Sequence, residues 1–280
     1  MAELEALEDV TIVIAPDLWF GTEEQAKLNA RAMAAHCAKM RNRMTVLHLQ
    51  EGLGDRAALE LTPLITEDDS AKFSALYYPW LEVFDNAGEK MYVPPVGHVA
   101  GMWARVDGKR GVHKAPANEV LQGVLDLEKN LMDEEQAELN EKGLNCIRSF
   151  RGQGIRVWGA RTQVDSSDVD WRYINVRRLC NFIQESIRVS SRWAIFEPND
   201  ERLWSSLRGN VSVFLRDQWR AGALAGATPS DAYYVICDET NNDPTSIAAG
   251  EVYCDIGIAA VRPGEFITFR VTQIVGGPES

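Results

Sequence analysis

The stretch RGVHKAPAN, Arg110 to Asn118, carries residue types that could do chemistry. His113 is a base, Lys114 a potential nucleophile and Asn118 an amide, with Gly111 and Pro116 bending the chain around them. A hydrolytic site needs a nucleophile, a base and a group that orients the base. The remaining histidines are His36, His48 and His98; none stands in HExxH, and no serine stands in GxSxG. His48 falls within an apolar run and His98 among small residues, contexts that suit packing better than catalysis. With no partner motif elsewhere, the loop reads as a structural turn.

Two other groupings invite a functional reading. The loop DETNND (238–243) collects carboxylate and amide oxygens, but it lacks the spacing and the glycine of a calcium loop, and Asn-rich loops followed by proline are usually turns. Arg172, Arg177, Arg178 and Arg188 crowd one predicted helix, with Arg192 just beyond it. They are either a solvated face or a docking face for acidic segments, including those of another copy of the chain.

The elements that must position these groups belong to a chain of 280 residues with net charge -12, 45% hydrophobic and 25% charged. That length supports a sizeable core, and the acidic balance argues against a nucleic-acid footprint. No run reaches the roughly 18 apolar residues of a membrane span. The N-terminus MAELEALEDV is acidic and does not resemble a secretory signal. The five cysteines, Cys37, Cys146, Cys180, Cys237 and Cys254, form no CxxC and read as reduced, small hydrophobes, with Cys237 and Cys254 close enough in pattern to sit on adjacent strands.

The first half predicts an α/β pattern. TIVIAP (11–16) and MTVLHLQ (44–50) are short apolar runs suited to parallel strands. Between them a helix starts at Thr22, capped against Gln25, and runs to about Asn42 with Ala26, Ala30, Met33, Ala34 and Cys37 inward. ALYYPWLEVFD (75–85) predicts a strand bent at Pro79, 93–111 a short helix, and MDEEQAELNEKG a helix ending at Gly143. A domain boundary is read near 145–152. Beyond it come a strand at 155–160, a helix capped by Asp170 over 171–190, a strand WAIFE (193–197), a helix over 200–220 capped by Asn199, and strands at 232–238, 251–261 and 265–275.

The ordered segments ALYYPWL, VPPVGHVAGMWARVDGKRGVHKAPAN, LNEKGLNCIRSFRGQGIRVWGARTQ, DWRYINVRRLCNFIQESI, FEPNDERLW and RPGEFITFRV resemble the contractile tail sheath proteins of phage tails, R-type bacteriocins and extracellular contractile injection systems. The resemblance runs from about Leu7 to Gly276. It implies a subtilisin-like α/β domain, here 1–145, followed by an α+β sheath C-terminal domain, here 146–280. It implies a structural role without catalysis: copies stack helically around an inner tube and contract to drive the tube through a membrane. It implies no cofactor. The implied partners are the chain itself, the tube protein, and baseplate and terminator or cap proteins, with no nucleic acid and no membrane insertion. Assembly is expected in the bacterial cytoplasm, as part of a tail or tail-like particle. The alternative, a subtilisin-like hydrolase, rests on topology alone.

On this resemblance Lys114, Pro116 and Asn118 fix a chain reversal, with Asn118 capping a helix. The first strand begins at about Thr11, where family members carry an extended arm ahead of it, so part of the inter-subunit mesh is expected to be missing. Arg208, Arg216 and Arg220 on the helix at 200–220 are expected to meet the tube. In the last strand Ile267, Phe269 and Val271 alternate with Thr268, Arg270 and Thr272; with Phe266 they are expected to join a neighbouring subunit's sheet, after a Pro263-Gly264 turn. The arginines of the 171–190 helix are the other expected contact between subunits.

Overall fold

A computed structural model describes residues 2–265. The terminal strand expected from Phe266 to Thr272 lies outside the described residues. In chain order the elements are α1 (Ala2–Glu5), β1 (Ile12–Ile14), α2 (Glu23–Met40), β2 (Met44–His48), α3 (Asp55–Glu60), α4 (Asp68–Ala71), β3 (Ser74–Tyr78), β4 (Leu81–Phe84), β5 (Lys90–Val93), α5 (Val96–Arg110), β6 (Glu119–Val120), β7 (Asp126–Leu127), α6 (Asp133–Glu141), β8 (Leu144–Phe150) and β9 (Gly154–Trp158). Then come α7 (Ile174–Ser190), α8 (Glu201–Arg220), α9 (Pro229–Ala232), β10 (Tyr233–Ile236), α10 (Pro244–Ala248) and β11 (Asp255–Ile258). The fold is mixed α/β.

The main sheet has the order β1-β2-β3-β8-β9-β6, with β1, β2, β3 and β8 parallel and the last two strands antiparallel. Its central strands are buried along their whole length, as continuous apolar runs require when both faces are covered. The period of two sends Leu47, Leu76, Tyr78, Leu144 and Cys146 to one face, against Ala30, Met33 and Cys37 of α2 and Leu139 of α6. It sends Met44, Val46, Ala75, Tyr77 and Ile147 to the other, against Val99, Met102, Trp103 and Val106 of α5. Trp103 is fully buried and its indole N–H donates to the Tyr77 hydroxyl at 3.2 Å. Thr22 caps α2 as expected, its hydroxyl accepting from Gln25 N. A second sheet, β5-β4-β7, departs from the main one just after Pro79.

Cys37, Cys146 and Cys237 are buried free thiols, and burial pushes each up to about 12. Cys254 packs against the small core cluster that contains Cys237.

The structure corrects several expectations. LNCIRSF was not expected to be a strand, yet it forms β8 in the middle of the main sheet, so the break read at 145–152 falls inside that sheet. The buried amide of Asn145, which interrupts the apolar pattern, is fully bonded: it donates to Leu76 O and Arg161 O and accepts from Arg161 N. Asn118 caps no helix. It takes a left-handed backbone (φ 58), which asparagine tolerates, donates its N–H to Val157 O and leads into the edge strand β6. Asp170 does not cap α7; Tyr173 is the cap residue, and Asp170 pairs with Arg262 instead. WAIFE does not form a strand; among the described residues it has no strand partner, and it makes a turn of 3-10 helix over Arg192–Ala194 with Phe196 fully exposed at φ 69. The cap of α8 is Asp200, which accepts from Arg202 N and Leu203 N; Asn199 instead donates to Glu251 O and accepts from Trp204 Nε1.

Helices α7 and α8 and the two-stranded sheet β10-β11 form the C-terminal unit. Leu179 and Ile183 of α7 meet Val211 and Leu215 of α8, and Tyr233, Val235, Ile256 and Ile258 close this core from the sheet side.

Candidate functional site

The loop that opened the chemical question has no free reactive pair. The Lys114 ammonium donates to the carbonyls of Ala115 at 2.5 Å and Ala117 at 3.1 Å and lies 3.9 Å from Glu119. Its pKa is lowered, chiefly by burial. His113 packs over Gly111, where φ is 86 and an added Cβ would sit 2.9 Å from the imidazole Nδ1. The His113 carbonyl accepts from Asn175 of α7 at 2.9 Å. These bonds fix the turn and tie it to the C-terminal unit.

Asp238, Asn242 and Asp243 of DETNND are engaged in local bonds. Asp238 accepts from Thr240, Asn242 bonds both N–H and C=O of Tyr253, and Asp243 caps α10 through Thr245 N and Ser246 N. Among the described residues no group of three His, Cys, Asp or Glu side chains is arranged to hold a metal ion.

The four arginines of the α7 region do not share one face. Consecutive helix positions point about 100° apart, and here Arg177 and Arg178 both turn inward. Arg177 is 6% exposed, bonds Asn181 at 2.9 Å and stacks on Phe73 and Trp171, with burial lowering its pKa. Arg178 is 7% exposed, forks onto Asp107 at 2.8 and 2.5 Å and lies over Trp103. Guanidinium is weakly hydrated and planar, which suits it to this role of bolting α7 onto both faces of the main sheet. Arg172 is half-buried and donates to Ser166 O. Only Arg188 is exposed; it pairs with Glu185 at 2.7 Å and Glu8 at 3.3 Å, and Arg192 joins Glu8 at 2.5 Å. The expected docking face of four arginines is therefore reduced to this exposed corner.

On α8, Arg216 and Arg220 stand on the solvent side, Arg220 at 3.9 Å from Asp217. Arg208 is turned toward β10, donating to Cys237 O at 3.0 Å and lying 3.6 Å from Asp238.

The residues with the clearest capacity for association lie on β10-β11. In this antiparallel pair Tyr234 faces Gly257 and Ile236 faces Asp255. Tyr234 is 57% exposed and Ile236 39%, so among the described residues this face leaves an aromatic and an aliphatic side chain uncovered beside the Asp255 carboxylate. The Tyr234 ring lies across Gly257, where an added Cβ would come within 2.1 Å of it. The pair is supported by α7 and α8 on its inner face, and among the described residues its strand edges have no further strand partner, an arrangement that can template one. Sequence reasoning found both strands; a strand pattern does not say how many partners each will have.

A separate polar cluster, invisible in the sequence pattern, gathers Asn140, Arg161, Tyr173 and Glu265.

Residues 1–163 match the phage tail sheath protein central domain, and residues 166–274 the phage tail sheath C-terminal domain. The tail sheath protein of Burkholderia phage BcepMu is 32% identical over 203 residues, covering 70% of this chain and 41% of that protein. The chain thus spans less than half of that relative. Among solved structures, the sheath complex of an extracellular contractile injection system, PVC, in its contracted state is 36% identical with a TM-score of 0.84, covering 97% of this chain and 73% of that one. The baseplate structure of the anti-feeding prophage contains a chain 34% identical with a TM-score of 0.80, at 97% and 73% coverage.

Proposed function

This chain belongs to the phage tail sheath family, and on that premise we propose that it is a structural subunit of a contractile tail or injection-system sheath. Copies stack helically around an inner tube and shorten to drive the tube through a membrane. The parallel strands flanked by helices fit the subtilisin-like description of the larger unit. We read the chain as non-enzymatic, because His113 and Lys114 act as turn-fixing groups.

The observation that carries the assembly reading is the sheet β10-β11, which among the described residues has two strands and an exposed outer face. A neighbour's terminal strand would complete it: main-chain bonds would give affinity, and the apolar face around Tyr234 and Ile236 would give register. The alternating segment Phe266–Thr272 is the donor this chain offers to the next copy. Arg216 and Arg220 are proposed to meet acidic groups of the tube protein, and Arg188 a neighbouring subunit. Arg208, held by the β10 side, is a weaker contributor. Baseplate and cap proteins would contact the ends of the stack, and assembly would take place in the bacterial cytoplasm.

Truncation after Arg270 tests the reading. The shortened chain is expected to stay folded by circular dichroism while no tubular sheaths form with the tube protein under the electron microscope. Full-length sheaths from the truncated chain would overturn strand donation.

A further inference from the structure

After β11 the chain does not end on the small sheet. Ala225 N donates to Ala259 O and Val261 N to Ala223 O, so residues 259–261 run beside the loop after α8. Asn175 of α7 then donates to Val261 O at 3.0 Å, and Arg262 pairs with Asp170. Three residues later the Glu265 carboxylate reaches the main unit.

There it is gripped from three sequence regions. Arg161 presents a fork, Nε to Oε1 at 2.8 Å and Nη2 to Oε2 at 2.8 Å. Asn140 Nδ2 donates to Oε1 at 2.7 Å, and the Tyr173 hydroxyl donates to Oε2 at 3.0 Å. Arg161 is 6% exposed, and its Nη1 donates to Asn140 O at 3.1 Å. A half-buried carboxylate is costly unless its lone pairs are met, and here four donors meet those of Glu265. Burial alone pushes Glu265 up; the bonds from Arg161 and Asn140 outweigh it and hold the carboxyl below its usual value.

Arg161 is itself fixed. Asn145, fully buried in β8, accepts from Arg161 N at 2.7 Å and donates to Arg161 O at 2.7 Å and to Leu76 O of β3 at 3.1 Å. Gly159 permits this approach, since a Cβ there would lie 2.8 Å from the Asn145 amide oxygen. A continuous series of bonds therefore leads from Glu265 through Arg161 and Asn145 to the middle of the main sheet.

We propose that Arg161, Asn140 and Tyr173 form a socket for Glu265 that roots the outgoing C-terminal segment on the main sheet, and that Arg161 and Glu265 are positioning residues for inter-subunit strand exchange. The arrangement assigns the two ends of the exchange to different parts of the subunit. Receipt of a strand belongs to the small sheet β10-β11, while the donated segment departs from the rigid main unit. A pull on that segment is then borne by β8 and β3 and does not peel β11 from β10. The second half of this inference rests on the sheath reading; the socket itself does not.

The test uses the full chain with Glu265→Gln, Glu265→Asp and Arg161→Lys. Removing a charged partner from such a site is worth enough to raise local opening roughly tenfold or more. In the unassembled subunit, Glu265→Gln is expected to speed hydrogen exchange at 262–265 by about that factor, with exchange in β2 and β3 unchanged. With the tube protein added, the same variant is expected to give fewer and shorter sheaths, and Glu265→Asp to recover part of the loss. Arg161→Lys, which cannot fork, is expected to behave like Glu265→Gln. Unchanged exchange at 262–265 in Glu265→Gln would overturn the socket. Faster exchange with sheaths as long and numerous as the unmodified chain's would overturn its positioning role. If the unmodified chain itself makes no sheath, the sheath reading fails, while the exchange measurement still decides the socket.

Discussion

Strands β2 and β10 are both short and apolar, yet among the described residues β2 lies between two strands and β10 pairs with one. Every residue of β2 is buried, between two parallel neighbours and two layers of helices. In β10 burial alternates: Tyr233 and Val235 face the α7-α8 core, and Tyr234 and Ile236 face outward. The main sheet gains its stability within one chain. Among the described residues the small sheet has two strands, with one face on the α7-α8 core and the other exposed. On the proposed reading, stability resides in the main sheet and association in the small one, so the two should respond to different substitutions.

The sharpest break in the comparison comes from the main core. Trp103→Ala should lower unfolding free energy by about 3–5 kcal/mol, read from chemical denaturation, because it empties the space between α5 and the sheet and leaves the Tyr77 hydroxyl unpartnered. A cost below about 1 kcal/mol would mean that this face of the sheet is not the rigid part.

His48, fully buried at the end of β2, comes next. Burial lowers its pKa from 6.5 to about 4, and neither ring nitrogen has a hydrogen-bond partner. The unfolded chain therefore takes up a proton before the folded one does. The stability contributed by neutral His48 is complete above about pH 6.5 and is lost as pH falls toward 4, by about 3 kcal/mol in all. His48→Leu should flatten that part of the stability-against-pH curve; an equally steep curve in the variant would assign the effect to other groups.

On the open side, Tyr234→Ser with Ile236→Thr should change the stability of the free subunit by less than about 1 kcal/mol, as expected for half-exposed positions. The same pair should abolish tubular sheaths under the electron microscope. A large loss of stability in the free subunit would show that β10-β11 is not waiting for a partner.

The smallest effect is expected at the exposed corner where Glu8 meets Arg188 and Arg192. Glu8→Gln should leave the thermal midpoint unchanged within error, since exposed pairs are screened by water and salt. Any effect should appear only in assembly and fade as ionic strength rises.

The legible parts of the fold were those decided by local pattern. β1, α2 and β2 followed from two apolar runs and a capped helix, and the Thr22 cap stands as read. β8 was missed because Asn145 breaks its apolar run, and the reason for a buried asparagine there lies in Arg161, sixteen residues away. WAIFE was misread because five apolar-rich residues look alike whether or not a neighbouring strand exists. Arg177 and Arg178 were read as surface because charge suggests water; their burial depends on Phe73, Trp171, Trp103 and Asp107 from distant segments. The proposed association surface was half legible: the strands β10 and β11 showed in the sequence, but not the polar cluster that holds Glu265.

The buried cysteines give the folded subunit a built-in clock. A thiol held near 12 is ionised in only about one molecule in a hundred thousand at pH 7, and the thiolate is the reactive form. Cys37 and Cys146 lie on either side of the contact between α2 and the main sheet, so an alkylating reagent reaches them only when that contact opens. The rate at which they are labelled therefore counts openings of the main unit directly, in a free subunit and in an assembled particle alike. The ratio of the two rates would measure how strongly neighbours in the lattice hold each subunit closed.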